Sequence, residues 1–283
     1  MAGRIVVATG GWSAPEWYPK GLPARDRLAA LAEQVDAVEI DSSFYALPAP
    51  RTVERWARIT PEHFTFSAKL HRALSRHAAP LKSLPTDLRD GVDVTERGRV
   101  VLTEELEAAL CARTLDVFEA LYAAERLSCF VLQLTPGFRP GAYELDELEP
   151  IVQALAPVPV AIEFRHTGWT DRSDTTFARL REMGAAFVGV DAPETKSPTT
   201  MPRDDAVTRS DLAYQRAHGR NAEGYLRGRS AAARFDYAYP EEELRELAGR
   251  ASTLAEDAET VVCVLSNAGH ALDSALALKR LIE

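Results

Sequence analysis

The stretch "VAIEFRHTGW", residues 160–169, reads as a buried β-strand interrupted by two opposite charges, Glu163 and Arg165. Side chains at i and i+2 of a strand share a face, so Ala161, Glu163 and Arg165 look one way while Ile162 and Phe164 look the other. The apolar side suits packing against helices. The charged side must then face something polar and enclosed, and the rest of the chain repeats the device.

Short β-rich runs recur at "RIVVAT" ending at Thr9, 35–41, 64–70, 129–134, 158–165, 185–191, 212–219 and 260–268. Helix-like stretches lie between most of them, at 24–34, 50–59, from Thr103, 143–155, 173–183, from Pro240, and 270–282. Thr103 with Glu104 and Glu105 behind it, and Pro240 followed by three glutamates, mark helix starts. Strands alternating with helices imply βαβ units and a parallel sheet. Eight such units in 283 residues predict one α/β domain over 1–283, a single (β/α)8 TIM-type barrel. A doubly wound open sheet is the competing architecture. The barrel is preferred because polar residues stand near the carboxyl end of nearly every strand, as when all those ends converge on one site. Two stretches break the pattern. Residues 72–102, rich in Pro, Asp, Arg and Gly, predict a long excursion over the barrel mouth between the third strand and third helix, and the three prolines of 192–211 forbid a regular sixth helix.

Strand parity selects the candidate site. Val38 and Ile40 share an apolar face, leaving Glu39 and Asp41 opposite. Phe64, Phe66, Ala68 and Leu70 leave Ser67, Lys69 and His71, while Leu132 and Leu134 leave Gln133. The fifth strand leaves Glu163 and Arg165, the seventh Tyr214, Arg216 and His218, and the sixth and eighth end on Asp191 and Asn267. Isolated buried charges cost several kcal/mol each, so such a set is either a self-neutralising structural network or a ligand site. Barrel interiors are ordinarily filled by branched apolar residues, which favours the ligand site.

The motifs "GGWSAPEWYP", "VEIDSSFYALP", "FTFSAKLHR", "FVLQLTPGF", "IEFRHTGW", "RAHG" and "SNAGHALDSAL" resemble, in order and spacing over nearly the whole chain, the YecE-like family, domain of unknown function seventy-two. The resemblance implies a TIM-barrel-type fold and no established reaction. The family's Thr-His pair after the lysine strand is here Ser75 and Arg76, with His77 one place later.

Composition narrows the chemistry. With 46% hydrophobic and 27% charged residues the chain is an ordinary globular protein, and a net charge of −9 repels polyanions at long range. No run of about 18 apolar residues exists, so no membrane association is expected. The three dispersed cysteines read as buried reduced thiols, and the short apolar start reads as no signal peptide, so the expected location is cytoplasmic. No GxGxxG or P-loop appears and no cofactor is expected. Glu39, His71, Glu163 and His218 would supply metal ligands, but Lys69, Arg165 and Arg216 in the same ring would repel a divalent cation.

A small anionic molecule, phosphorylated or sugar-like, fits the cations better. Glu39, Lys69, Glu163 and His218 are the candidate catalytic residues, for acid–base or Schiff-base work. Gly11, Trp12, Asp41, Tyr45, His71, Gln133, Arg165, Trp169, Asp191, Arg216 and Asn267 are the candidate substrate-binding residues. Glu163→Gln and Arg216→Ala are expected to abolish function with little loss of stability. Two alternatives stand beside a metal-independent hydrolase, lyase or isomerase: a metal-dependent nuclease or phosphoesterase, and a non-catalytic nucleic-acid or protein binder. Nucleic acid is not the favoured partner.

Overall fold

The computed structural model describes residues 2–283. Eight parallel strands close into a barrel in chain order: β1 Arg4–Gly10, β2 Ala37–Ile40, β3 Thr65–Lys69, β4 Leu127–Gln133, β5 Val160–Glu163, β6 Ala186–Asp191, β7 Ala213–Ala217 and β8 Thr260–Leu265, which pairs back onto β1. The helices outside are α1 Arg27–Ala32, α2 Pro50–Ile59, α3 Glu104–Ala123, α4 Glu149–Ala154, α5 Ser173–Met183, α6 Ala222–Arg227, α7 Ala231–Phe235, α8 Glu241–Asp257 and α9 Ala271–Ile282. This is the (β/α)8 barrel expected from the alternation. No helix among the described residues is long and apolar enough to cross a membrane.

Local chemistry sets the element ends. Thr103 Oγ1 accepts from the Leu106 amide at 3.2 Å and caps α3, whose first turn carries Glu104, Glu105 and Glu107. Gly184, at φ +73°, ends α5 in the left-handed conformation that a side chain would strain. Ile40, Phe66, Ala68, Leu132 and Ile162 are fully buried on the outer face of the strands, where the helices cover them. The helix expected over 143–155 is a 3-10 turn, Leu145–Leu148, running into the short α4. Residues 192–211 form no helix, whereas α6 and α7, between β7 and α8, went unforeseen because neither carries an apolar stripe long enough to read.

Register decides which way each side chain points, because directly paired residues in parallel strands share a face. Gly10 pairs with Glu39, Glu39 with Ser67, Gln133 with Glu163, and Val190 with Arg216, which pairs in turn with Val264. All of these face the barrel interior. Asp191 pairs with Ala217, and Ala217 with Leu265, so Asp191 and the next-but-one residue Asn267 face the helices. The polar-in rule inverts at both positions: on β6 the inward residues are Val188 and Val190, and after β8 the inward polar residue is Ser266.

Candidate active site

At the carboxyl end of the barrel Arg216, 2% exposed, is the hub. Its Nη2 donates to Glu39 Oε1 at 2.6 Å and its Nη1 donates to Glu163 Oε2. Glu163 Oε1 accepts from Gln133 Nε2 at 2.8 Å and from Arg165 Nη1 at 3.0 Å. His218 Nε2 lies 3.2 Å from the same oxygen. Glu39 Oε2 accepts from the buried Tyr214 hydroxyl at 2.9 Å. Lys69 Nζ donates to Gln133 Oε1 at 2.8 Å and pairs with Asp41 at 3.3 Å. Five strands, β2, β3, β4, β5 and β7, thus contribute to one network, as parity required.

Burial splits the carboxylates. Desolvation pushes Glu39 up to about 7 against the opposing pull of Arg216. Burial acts on Glu163 in the same sense, but Arg216 and then His218 and Arg165 outweigh it and hold this carboxyl well below the usual range. For Asp41 burial is likewise outweighed, by Lys69 first and Arg216 second, so it stays ionised. Burial pushes His218 down to about 4 although Glu163 pulls the other way, leaving a neutral ring at neutral pH. A ring that donates from Nε2 to Glu163 carries its free lone pair on Nδ1.

Above this network opens a cavity of about 620 Å³ at the barrel mouth. Lys69, Arg72, Arg165, Arg216 and Arg234 line it as cations, against Asp41 as the single carboxylate on its wall. Glu39 and Glu163, both fully buried, lie beneath Arg216 rather than on the wall. Five cations against three carboxylates leave the region at +2 in a chain of net charge −9. Gly10 forms part of the floor: a Cβ there would meet Ser266 Oγ at 2.8 Å.

Of the candidate residues, Lys69, His218, Asp41, Tyr45, Gln133, Arg165 and Arg216 line the cavity, and Glu39 and Glu163 support it from below. The others are placed differently. His71 turns away after β3 ends: its Nε2 meets Ser83 O at 3.1 Å and its Nδ1 accepts from the Ala73 amide, fastening the 72–102 excursion. Asp191 accepts from Arg220, Arg250 and Tyr239 on the helix side. Asn267 Nδ2 donates to Ser274 Oγ and Tyr237 O. Trp169 is buried, its Nε1 donating to Phe138 O at 2.8 Å, and Trp12 packs edge-on against Trp56 at 5.2 Å. Gly11, at φ +76°, donates its amide to Glu39 O and turns the chain past the floor. Parity alone also missed wall residues such as Arg72, His77, Arg234, Phe235 and Ser266, because these lie in loops or short helices beyond strand ends. The basic run 69–77, "KLHRALSRH", is the signal that points to the first two.

The expected tolerance to Arg216→Ala does not survive this geometry, since that change strands the buried Glu39 and takes from Glu163 one of its two arginines. Among the described residues no three His, Cys, Asp or Glu side chains converge as a metal site, and His71 stands away from Glu39, Glu163 and His218.

Comparison with known proteins gives a consistent result. The chain is 23% identical over 288 residues to UPF0759 protein YunF of Bacillus subtilis, covering 99% of this chain and 95% of that one. It is 33% identical to UPF0759 protein YecE of Escherichia coli over 75 residues, 26% of each chain. A crystal structure of a DUF72 family protein from Enterococcus faecalis superposes with a TM-score of 0.82 at 22% identity, over 99% of this chain and 95% of that chain. Another from Thermotoga maritima superposes with a TM-score of 0.77 at 26% identity, over 98% of both. The model of the family described as "Protein of unknown function DUF72" matches residues 6–283, and the chain belongs to that family.

Proposed function

We propose that the mouth cavity is the active site of an enzyme that binds a small anionic, phosphorylated or sugar-like substrate and moves a proton without a metal. One observation carries this reading: of the ten buried side-chain polar atoms without a partner among the described residues, five, Arg72 Nε, His77 Nε2, Arg165 Nε, Arg216 Nε and His218 Nδ1, belong to residues lining this one cavity. Buried polar groups are nearly always hydrogen-bonded in native proteins, so a cluster of exceptions marks a place where something else completes the bonds.

Lys69 and Arg165 hold the anion, each already oriented by a neighbour, Gln133 for Lys69 and Glu163 with Tyr225 for Arg165. Glu163 fixes His218 as the Nε2–H tautomer, which leaves Nδ1 to take a proton from the substrate. Asp41 stays ionised and pairs with Lys69 at 3.3 Å. Glu39 and Arg216 act through these residues as positioning groups. The three buried free thiols suit a reducing compartment, the cytosol.

The test is twofold. Inorganic phosphate raises the melting temperature of the wild type, and Arg165→Gln abolishes that rise while leaving the ligand-free transition cooperative. In a panel of phosphorylated and carboxylated small molecules followed by mass spectrometry, one is consumed by the wild type and not by His218→Ala. A phosphate response unchanged in Arg165→Gln, or turnover unchanged in His218→Ala, overturns the corresponding half of the proposal.

A further inference from the structure

The charges around the mouth pair off unequally. Arg216 and Arg165 are matched by Glu39 and Glu163, and Lys69 by Asp41. Arg72 has no carboxylate within 4 Å among the described residues. It is only partly exposed, and its Nε is buried without a partner. Its guanidinium carbon leans on the Phe44 ring, 5.6 Å from the centroid, and Lys69 Nζ leans on the same ring at 5.1 Å. The His77 ring meets Phe44 edge-on at 5.0 Å, and its Nε2 is also buried and unpartnered. One aromatic ring therefore gathers two cations and an imidazole on one wall, with a single acid to balance them.

Two cations held against one ring repel each other, and the ring quadrupole offsets only part of that repulsion. The arrangement is favourable when an oxyanion sits between them, and a fork, a point charge and a neutral ring nitrogen suit several oxygens on one centre. A monocarboxylate would satisfy Lys69 or Arg165 and leave Arg72 unmatched. We infer that Lys69, Arg72 and His77 form a subsite for a dianionic phosphate monoester head, with Arg72 reading the second negative charge. The inference rests on the mouth being the ligand site and goes further by naming the substrate class and the residue that selects it.

Calorimetric titration at pH 7.5 with inorganic phosphate, sulfate, malonate and acetate tests it, on the wild type and on Arg72→Gln, His77→Asn and Arg165→Gln. The wild type binds phosphate and sulfate more tightly than malonate and acetate. Arg72→Gln weakens phosphate and sulfate, whose charge sits on one centre, by roughly ten- to a hundredfold, the loss expected for one charge-assisted contact, and barely changes acetate. His77→Asn, which keeps a polar group, weakens phosphate less than Arg72→Gln does, and Arg165→Gln weakens all four ions alike. Thermal unfolding without ligand confirms that each variant is folded. Phosphate affinity within twofold of wild type in Arg72→Gln overturns the subsite while leaving the mouth as an anion site. Malonate or acetate binding as tightly as phosphate overturns the phosphate assignment, and a wild type indifferent to every ion overturns both readings.

Discussion

Arg216 shows what a single residue does here. It is nearly fully buried and joins two fully buried carboxylates, so its removal leaves Glu39 without an ion-pair partner and Glu163 with Arg165 as its remaining arginine. Arg216→Ala should cost about 3–5 kcal/mol of unfolding free energy, read by chemical denaturation, whereas Arg165→Gln, whose partner Glu163 keeps Arg216, should cost about 1 kcal/mol. Glu39 gives a pH signature. Its pKa is raised by burial to about 7, so the folded protein holds this proton more tightly than the unfolded chain, and the stability that the protonated form contributes is lost as pH climbs from the ordinary carboxyl range through 7. His218 and Glu163 act at the acid end: both are depressed in the fold, so their contribution is lost as pH falls, for His218 through the window from 6.5 to about 4. Stability measured from pH 5.5 to 8 should therefore decline at the alkaline side by an amount on the order of 2 kcal/mol, and Glu39→Gln should flatten that limb. An unaltered slope in Glu39→Gln would show that another group titrates.

Among the elements, β2, β3, β4, β5 and β7 carried their polar sets inward as alternation predicts, and the barrel follows from the strand–helix rhythm. Parity states which side chains share a face but not which face that is. On β6 the deciding partners, Arg250 of α8 and Arg220 after β7, lie about 60 and 30 residues further along the chain, too far for any local pattern to reveal. His71 has the right parity, yet the strand ends two residues earlier and the chain turns. The same distance hid the interaction that replaces the missing sixth helix: Arg250 ties Asp191 to Asp205, in the segment 192–211. Asp191→Asn should therefore destabilise the protein by about 3–5 kcal/mol while leaving phosphate affinity within twofold of wild type, a combination that a binding residue cannot give. Reduced affinity in a folded Asp191→Asn protein would return this residue to the site.

The whole molecule sets a field against its own pocket. A chain of net charge −9 repels polyanions, while a mouth of +2 attracts a small oxyanion once it is inside. Screening over a Debye length of about 8 Å at physiological salt affects the outer field more than contacts within the cavity. Phosphate affinity should thus fall less than about tenfold between 0.05 and 0.5 M salt, against the steep log–log dependence of a backbone-binding nucleic-acid protein. Residues remote in sequence meet at this mouth only because the barrel closes β8 onto β1, bringing Ser266 beside Gly10. Whether the mouth takes an oxyanion is decided by the position of a bound ion in crystals grown with saturating phosphate at neutral pH. One oxyanion is expected at the barrel mouth, within hydrogen-bond reach of Lys69 Nζ and of the Arg72 or Arg165 guanidinium. Phosphate found only on the outer helices, with the mouth unchanged, would contradict it.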